Sequence, residues 1–478
     1  MVFAQHTPAV SDLVARLAGP GEPGLSVGVY EQGDLVFTAS AGEACVEFGV
    51  PVDARSRFDV ASVSKQFTAV CALLLARDGR LDLDEDLRVH LPELRLPVPV
   101  TVRQCLQHTA GLPEWCALAE LMSLPLITCS EERLMRLFAR LERLNFAPGT
   151  DFSYSNTGYV LIAALVRRIT GQSLAGFAAE RIFAPLGMGD TLFRDDTTRV
   201  VPRLAYGYSR EGRADSLESA VGDGGLVTSV TDLAPWLGFL ADGRVLGADL
   251  RDALIERAVL KDGTLLPYGH GIFHFPAGTE AAFGHSGGVD GYRSQILHVP
   301  STGIGVVVLA NKVALNPGAI AVEIASMGAP ARRPARAIPA GLTGLWHDPA
   351  ADTFVEVTAT ESEITVDGEE VATDIELCLV GETLRISESW LPHHATTLVR
   401  CGEPGEAVFP EGTFRSAELD LAVTVDDGTL RLPGQEFPVT PAPTGAWRAG
   451  PATLRFDGDE LLISMPGACR MRFTPQRF

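Results

Sequence analysis

The stretch Ala61-Ser-Val-Ser-Lys-Gln-Phe-Thr68 places a lysine three residues after a serine, at the start of an apolar run that continues to Ala76. Residues i and i+3 share one face of a helix, so a helix that begins here returns the amine of Lys65 to the hydroxyl of Ser62. Asp78-Gly79 supplies a helix terminator. Because the chain has only three lysines in 478 residues, chance alone gives this spacing well under once.

A serine hydroxyl is a weak nucleophile unless a nearby base takes its proton as it attacks. A lysine on a buried helix loses hydration, which favours the neutral amine and makes it a usable base. The alternative is a surface helix from which Lys65 extends its amine into water. We predict the first arrangement, with Ser62 as the nucleophile.

A second group of polar residues follows the turn-rich segment Phe146-Ala-Pro-Gly-Thr-Asp-Phe152. Tyr154-Ser155-Asn156 lies between this segment and a helical pattern at residues 158–170, so the phenol and the amide are expected on a short loop. A phenol beside a cationic group can pass a proton between nucleophile and leaving group. Taken alone, the tyrosine fits equally well as a core residue with its hydroxyl in water.

A third motif is His285-Ser286-Gly287-Gly288. The two apolar runs that follow it, Ser294–Pro300 and Gly303–Asn311, predict strands, so the glycines are expected on a strand or at its start. Glycine in a strand lets a backbone approach a ligand closely. Its free N–H groups, together with that of Ser62, form a candidate oxyanion hole.

In this order, the three motifs resemble those of the penicillin-recognising serine hydrolases, which include class C β-lactamases, D-alanyl-D-alanine carboxypeptidases, related esterases and D-aminopeptidases. The resemblance extends over residues 10–330. Further segments similar to those of the family are Gln107–Leu112, Ile182–Met188 and Gly222–Ser229 with Asp232. The resemblance implies an α/β (α+β) sandwich in which an antiparallel sheet of five or more strands is flanked by helices, with an inserted helical region.

The family's functional residues can be assigned to the matching positions of the three motifs. The resemblance implies four catalytic residues, which are Ser62, Lys65, Tyr154 and His285. It implies three substrate-binding residues, which are Asn156, Gly287 and Gly288. Ser62 corresponds to the acylated nucleophile, Lys65 and Tyr154 to the proton-transfer pair, and Asn156 to the group that holds the substrate amide. His285 stands where the third-motif base is found, and its alternative role is that of a hydrogen-bonded histidine at a sheet edge.

The third motif departs from that of class C β-lactamases, which have Lys-Thr-Gly where this chain has His285-Ser-Gly287. A histidine there is usual in the D-specific peptidase branch. We therefore expect a serine amidohydrolase acting on short D-amino-acid peptides, amides or esters. The alternatives are a carboxypeptidase-like enzyme, an esterase or weak β-lactamase of the same family, and a non-catalytic sensor of D-peptides or β-lactams.

Beyond residue 330 the chain changes character. A Pro/Ala/Arg-rich stretch at 331–340 predicts a linker after a hydrolase domain at 1–330. From Gly341 onward there is no lysine, and short alternating runs end in Asp-Gly turns, such as Asp367-Gly368 and Asp427-Gly428. This pattern predicts β-hairpins. It repeats after about 70 residues, so we predict two small antiparallel β-barrel domains, at 341–408 and 409–478.

Two β-barrels behind a serine-hydrolase domain resemble the D-aminopeptidases most closely. In that branch a loop from the last barrel supplies an acidic group for the substrate's free amine. The corresponding stretch here, Pro441–Gly450, contains no Asp or Glu. A buried ammonium needs a compensating charge or acceptors, so the sequence leaves recognition of a free amine open.

Composition excludes several other functions. A net charge of −21 opposes nucleic acid and anionic membrane as partners. Eight dispersed cysteines indicate free thiols, and the histidine pairs His393-His394 and His270/His274 lack a set of further ligands, so we expect neither a metal nor a cofactor. Met1–His6 has no leader pattern and no run reaches transmembrane length. We expect a cytoplasmic enzyme with a small-molecule or short-peptide substrate, and leave a homodimer open.

Overall fold

The computed structural model describes residues 3–216, 220–327, 338 and 341–476, the last range with gaps at 361–363, 367–368, 371–374, 389–395 and 403–408. Its first part is built on a six-stranded antiparallel sheet in the order β2-β1-β11-β10-β9-β8. These strands are β1 Leu25–Glu31, β2 Asp34–Ala41, β8 Phe273–Ala277, β9 Glu280–Val289, β10 Tyr292–Val299 and β11 Ile304–Ala310. The predicted antiparallel sheet of five or more strands is confirmed.

Two small sheets lie beside the large one, a two-stranded pair and the three-stranded order β5-β7-β6. Their strands are β3 Glu43–Cys45, β4 Val50–Pro51, β5 Phe58–Asp59, β6 Leu192–Phe193 and β7 Leu226–Thr228. Because β5 ends at Asp59, this small sheet leads the chain directly into the Ser62 region.

Helices cover both faces of the large sheet. They are α1 Thr7–Leu17, α2 Ser64–Arg77, α3 Val102–Leu106, α4 Trp115–Leu121, α5 Glu131–Phe138, α6 Asn156–Thr170, α7 Leu174–Ala178, α8 Ala184–Leu186, α9 Ala234–Asp242, α10 Ala248–Ile255 and α11 Pro317–Ala325. On one face, α1 and α11 pack over the apolar side chains of β1, β10 and β11. On the other face α2, α6 and α9 form the main core.

Helix α2 is central to this core. Every residue from Ser64 to Leu75 is buried, because the helix is covered by the sheet on one side and by α6 and α7 on the other. It ends where Gly79 takes a left-handed φ of 68°, as the Asp78-Gly79 pair predicts. The buried environment excludes the surface-helix alternative for Lys65, whose side chain is fully covered.

The C-terminal part contains only strands and one short 3-10 turn among its described residues, in two antiparallel sheets of seven and nine strands. The seven-stranded sheet has β12 Gly344–Asp348, β13 Thr353–Ala359, β14 Ile364–Val366, β15 Glu369–Glu370, β16 Ile375–Val380, β17 Thr383–Glu388 and β18 Thr396–Arg400. The nine-stranded sheet has β19 Gly412–Ser416, β20 Leu421–Asp426, β21 Thr429–Leu432, β22 Gln435–Pro438, β23 Thr440–Ala442, β24 Ala446–Ala449, β25 Ala452–Asp457, β26 Glu460–Met465 and β27 Ala468–Pro475.

The nine-stranded sheet is nearly closed. Its two edge strands are β22 and β23, yet only Val439 separates them in the chain. A single residue spans only a few ångströms, so one edge strand continues end to end into the other and the sheet curls into a nearly closed barrel. The fold therefore agrees with the prediction of antiparallel β-structure behind an α/β hydrolase core, with a barrel-like closure described for the nine-stranded sheet.

The internal repeat is visible in the backbone. The strand pairs β12/β13 and β19/β20 begin with Gly344 and Gly412, which have φ of 147° and 158°. Asp352 and Asp420 precede the second strand of each pair and have left-handed φ of 55° and 53°. The predicted turn at Asp427-Gly428 has positive φ at both residues, as a two-residue hairpin requires.

Some sequence predictions fall outside the described residues. These are most of the linker at 331–340, the turn at Asp367-Gly368 and the pair His393-His394. Within the described residues no single helix is long and apolar enough to cross a bilayer, and only the bent pair Asn156–Thr170 and Leu174–Leu186 reaches that length jointly, with a 76° break.

Candidate active site

Ser62 lies in a 3-10 turn, Ala61–Val63, that leads directly into α2. Ala61 takes a left-handed φ of 48°, which costs a non-glycine residue about 1–2 kcal/mol. The Asp59 carboxylate holds this conformation by accepting a hydrogen bond of 2.8 Å from the Ala61 N–H. The strained turn fixes the position of Ser62 at the start of the buried helix.

The amine of Lys65 lies within hydrogen-bond reach of Ser62. Its Nζ atom is 2.9 Å from Ser62 Oγ and 2.7 Å from the backbone oxygen of Asp223, to which it donates. The side chain is fully buried. The hydrogen bond to Asp223 and the surrounding core therefore hold the amine beside the serine hydroxyl.

The Tyr154 ring lies beside the same amine, with Lys65 Nζ 4.9 Å from the ring centroid. The hydroxyl is buried and has no well-aligned hydrogen bond among the described residues, although Lys65 and Ser62 are close enough to affect its ionisation. Burial raises the pKa of Tyr154, and the nearby Lys65 charge opposes the rise only in part. The phenol therefore keeps its proton at neutral pH and is a donor.

Asn156 is the first residue of α6, and it is paired with Glu114. Its Nδ2 donates to Glu114 Oε1 at 3.0 Å, and its backbone N–H donates to Oε2 at 2.5 Å. The amide group that the sequence assigns to substrate therefore already has one of its donors engaged. Burial raises the pKa of Glu114, since the two Asn156 bonds only partly offset the loss of water.

Asp223 is a second buried carboxyl at this site. Its Oδ2 accepts a hydrogen bond of 2.9 Å from the indole of Trp115, whereas Oδ1 is buried without a partner among the described residues. Burial raises the pKa of Asp223, and the charge of Lys65 opposes that rise. The Asp223 charge in turn contributes to the raised pKa of Glu114, so the two carboxyls lie close enough to interact.

His285 lies on β9, and both of its ring nitrogens are engaged. Nδ1 is 2.6 Å from the Ser286 carbonyl oxygen, which only accepts, so Nδ1 carries the proton. Nε2 then accepts from the Tyr268 hydroxyl, which is 3.1 Å away. Burial and the charge of Lys65 lower the pKa of His285 to about 3. This geometry gives a neutral ring with no nitrogen free to take a proton from a substrate.

Gly287 and Gly288 occupy the part of β9 that faces the Ser62 turn. A Cβ at Gly287 would lie 2.2 Å from the Val60 carbonyl oxygen, so only glycine fits. The pairing of β8 with β9 ends at Gly284, whereas β10 remains paired as far as Val289. The edge of β9 from His285 to Val289 therefore has no strand of the described residues paired with it on that side.

The turn between β26 and β27 reaches this site from the last sheet. The Gly467 carbonyl oxygen accepts hydrogen bonds from the Glu114 N–H at 2.8 Å and from Asn145 Nδ2 at 2.9 Å. Residues 441–450, where the sequence resemblance places the active-site loop, instead form β23, a 3-10 turn and β24 within the sheet. The buried carboxyls at the site, Glu114 and Asp223, both belong to the hydrolase part of the chain.

The sequence alone assigned no role to Glu114 or Asp223. Nothing in their spacing shows that they approach each other, because they are more than 100 residues apart in the chain. Among the described residues, no group of three or more His, Cys, Asp or Glu is arranged to hold a metal ion.

Comparison with known proteins agrees with this fold. The Beta-lactamase family model matches residues 10–325, and the chain belongs to this family of serine hydrolases. A D-aminopeptidase of Gluconobacter oxydans is 30% identical over 462 residues, which cover 88% of this chain and 85% of the relative. A D-aminopeptidase of Brucella abortus is 31% identical over 334 residues, which cover 68% and 64% of the two chains.

Two solved structures illustrate the likeness. The D-amino acid amidase from Ochrobactrum anthropi SV3 complexed with L-phenylalanine amide is 28% identical, with a TM-score of 0.53 over 64% of this chain and 90% of the amidase. The octameric penicillin-binding protein homologue from Pyrococcus abyssi covers 99% of both chains with a TM-score of 0.60. At 21% identity, this second likeness concerns the fold alone.

Proposed function

We propose that this protein is a D-stereospecific amidohydrolase that cleaves short D-amino-acid amides and peptides with a free α-amine through an acyl-enzyme at Ser62. The observation that carries the proposal is the 2.9 Å contact between Lys65 Nζ and Ser62 Oγ. It occurs on a fully buried helix start beside a protonated phenol. Relatives named D-aminopeptidase support the D-residue specificity.

In the proposed acylation, Lys65 acts as a neutral amine. Ser62 Oγ bonds to the substrate carbonyl carbon while its proton passes to that amine. The N–H groups of Ser62 and Gly288 stabilise the oxyanion. The tetrahedral intermediate then collapses as Tyr154 gives its proton to the leaving nitrogen, and the proton held by Lys65 restores the phenol. Water repeats the sequence on the ester, releases the D-amino acid and regenerates the Ser62 hydroxyl.

Glu114 is the proposed partner of the substrate's α-ammonium. Its Oε2 accepts a single hydrogen bond, from Asn156, so it retains acceptor capacity. Asp223 adds a buried oxygen with no partner among the described residues. A cation between the two carboxyls relieves their mutual repulsion and the cost of their burial. We therefore expect substrates with a free amine to be favoured. In this proposal Glu114, from the hydrolase part of the chain, supplies the acidic group that Pro441–Gly450 lacks.

His285 has a different role in this proposal from the one that the resemblance implies. With Nδ1 bonded to Ser286 and Nε2 bonded to Tyr268, it is a neutral part of the site wall. Its burial keeps the ring uncharged, so His285 adds no positive charge near the Lys65 amine that takes the proton. Proton transfer is assigned to Lys65 and Tyr154 alone.

Initial rates on a small panel of substrates test the proposal. The panel contains D-Ala and L-Ala p-nitroanilide, N-acetyl-D-Ala p-nitroanilide, p-nitrophenyl acetate and a chromogenic cephalosporin. We expect the free-amine D-anilide to have the highest kcat/KM among the amides, and Ser62→Ala to abolish turnover of all of them. Preference for the blocked anilide or the cephalosporin contradicts the amine-directed function, and turnover retained in Ser62→Ala contradicts the mechanism.

A further inference from the structure

His108 is a buried residue next to the proposed proton donor, and neither the motifs nor the proposed chemistry uses it. It follows α3 and takes a left-handed φ of 57°, a region that is uncommon for non-glycine residues although histidine enters it more often than most. Its side chain is covered, with 2% exposure. An uncommon backbone conformation at a buried site persists only where the surrounding contacts hold it.

The backbone on both sides of Tyr154 is hydrogen-bonded to His108. The Ser153 N–H donates to the His108 carbonyl oxygen at 3.0 Å. The Ser155 N–H donates to the imidazole Nδ1 at 3.1 Å. One residue therefore fixes the chain immediately before and immediately after the tyrosine, and both bonds depend on the left-handed backbone that turns the carbonyl and the ring toward the same loop.

The His108 ring also supports the Tyr154 ring. The two ring centroids are 4.1 Å apart with a tilt of 33°, and the Tyr268 ring lies 4.7 Å from His108 on another side. Because the Tyr154 hydroxyl has no well-aligned hydrogen bond among the described residues, the position of its oxygen beside Lys65 and Ser62 depends on ring packing and on the anchoring of the backbone.

The charge state of His108 follows from the same contacts. Nδ1 accepts from Ser155, so a neutral ring carries its proton on Nε2. Burial, with the charge of Lys65 next in importance, holds the pKa of His108 well below its usual range. Protonation would place a hydrogen on Nδ1 and break the bond to Ser155, so the neutral ring is the one that anchors the loop.

We propose that His108 is a positioning residue that aligns the Tyr154 phenol for proton delivery to the leaving group. This inference rests on the proposed function and adds a residue that touches neither the substrate nor Ser62. It has a specific kinetic consequence. An amide nitrogen must be protonated as it departs, whereas p-nitrophenolate leaves without a proton, so misalignment of the phenol slows amide cleavage much more than cleavage of an activated ester.

Two variants separate positioning from simple packing. His108→Asn retains a residue type that tolerates left-handed φ and a side-chain oxygen able to accept from Ser155, but it lacks the ring. His108→Leu lacks both the ring and the acceptor. The readout is the ratio of kcat for D-Ala p-nitroanilide to kcat for p-nitrophenyl acetate. Circular dichroism and thermal melting establish that each variant is folded.

We expect the amide-to-ester ratio to fall about 100-fold in His108→Leu, within the usual range for general acid catalysis, and a few-fold in His108→Asn, with KM changed little. Tyr154→Phe is expected to lower the same ratio, and adding it to His108→Leu is expected to lower it no further. Equal losses on both substrates, or a rise in KM alone, overturn the proposal. If His108→Leu does not fold, an unchanged ratio in His108→Asn overturns it.

The wild-type enzyme and Ser62→Ala keep this test distinct from that of the proposed function. If the wild type cleaves neither substrate, the proposed function fails. If it cleaves both through Ser62 and the ratio is unaffected by His108, only the positioning role fails.

Discussion

The Nζ atom of Lys65 lies 2.9 Å from the Oγ atom of Ser62, one helical turn away, with both residues at the start of the helix that forms the centre of the hydrolase core. Its other hydrogen bond, to the Asp223 carbonyl oxygen, prevents the amine from turning away from the serine. The helix therefore serves two purposes, since it fills the core and delivers a base to the nucleophile.

Replacement of this lysine tests its role as the base. Lys65→Met preserves the length and apolar packing of the side chain but removes the amine. We expect kcat/KM for the D-anilide to fall by at least about 1,000-fold, because general base catalysis is commonly worth 10²- to 10⁴-fold. Lys261→Met, at an exposed position, is the matched control and is expected to be as active as the wild type. Activity of Lys65→Met within tenfold of wild type contradicts the assignment.

The carboxylate of Glu114 is expected to select substrates with a free amine. Glu114→Gln retains the shape and one acceptor oxygen but loses the charge. We expect the ratio of kcat/KM for D-Ala p-nitroanilide to that for its N-acetyl derivative to fall 10- to 100-fold, in keeping with the loss of a buried charge pair. Glu120→Gln, at an exposed position of α4, is the control. An unchanged ratio shows that the amine is recognised elsewhere.

The raised pKa of Glu114 gives this selection a pH dependence. Only the ionised carboxylate attracts the ammonium, and burial moves ionisation to a higher pH than for an ordinary glutamate. As pH falls through this raised pKa, kcat/KM for the free-amine substrate is expected to fall, and the fall is expected to begin above the usual glutamate value of about 4.3. The same limb is expected to be absent in Glu114→Gln, and its persistence there assigns it to another group.

Contact between the last sheet and the site is tested at Gly467. Its φ is 81°, and a Cβ there would lie 2.8 Å from the Glu114 Cβ. Gly467→Ala is expected to displace Glu114 and lower the preference for a free amine, with a destabilisation of about 1–3 kcal/mol. Gly458→Ala has similar backbone strain, with φ of 63°, but no neighbour within 4 Å. The two variants should lose stability through strain alike, and only Gly467→Ala should change selectivity. If both variants show the same preference for a free-amine substrate, the contact between Gly467 and Glu114 is not needed for selectivity.

The two glycines of the third motif are expected to differ. A Cβ at Gly287 meets the backbone oxygen of Val60 at 2.2 Å, whereas a Cβ at Gly288 meets only the flexible Arg293 side chain, at 3.5 Å. Gly287→Ala must push the Ser62 turn away from β9, so activity is expected to fall by about 100-fold or more, as a shift of about 1 Å in a catalytic group does. Gly288→Ala is expected to remain within tenfold of wild type. The reverse order of activities contradicts the described packing.

Much of the fold follows from local sequence, and the site follows from it only in part. The Ser62–Lys65 spacing, the Asp78-Gly79 terminator and the apolar strand runs act over a few residues, and the structure places a buried helix and strands there. The Asp427-Gly428 turn is equally local, because both residues tolerate positive φ. These elements were therefore accessible from local sequence, and the fold class, which the family resemblance implied, is confirmed.

The remaining features depend on contacts between distant segments. Glu114 meets Asn156 across 42 residues, and Gly467 meets Glu114 across more than 350. The neutral state of His285 depends on a hydroxyl 17 residues away, at Tyr268. None of these pairings has a periodicity or spacing that a single sequence displays. For this reason the sequence predicted a catalytic base at position 285 and showed no acidic partner for the substrate's amine.

The most direct test of the central claim is the mass of the intact protein after reaction with a serine-directed phosphonate. We expect one adduct per chain, mapped by peptide sequencing to Ser62, with labelling abolished in Ser62→Ala and strongly slowed in Lys65→Met while both variants remain folded. An adduct on another residue, or equal labelling of wild type and Ser62→Ala, contradicts the assignment of Ser62 as the nucleophile activated by Lys65.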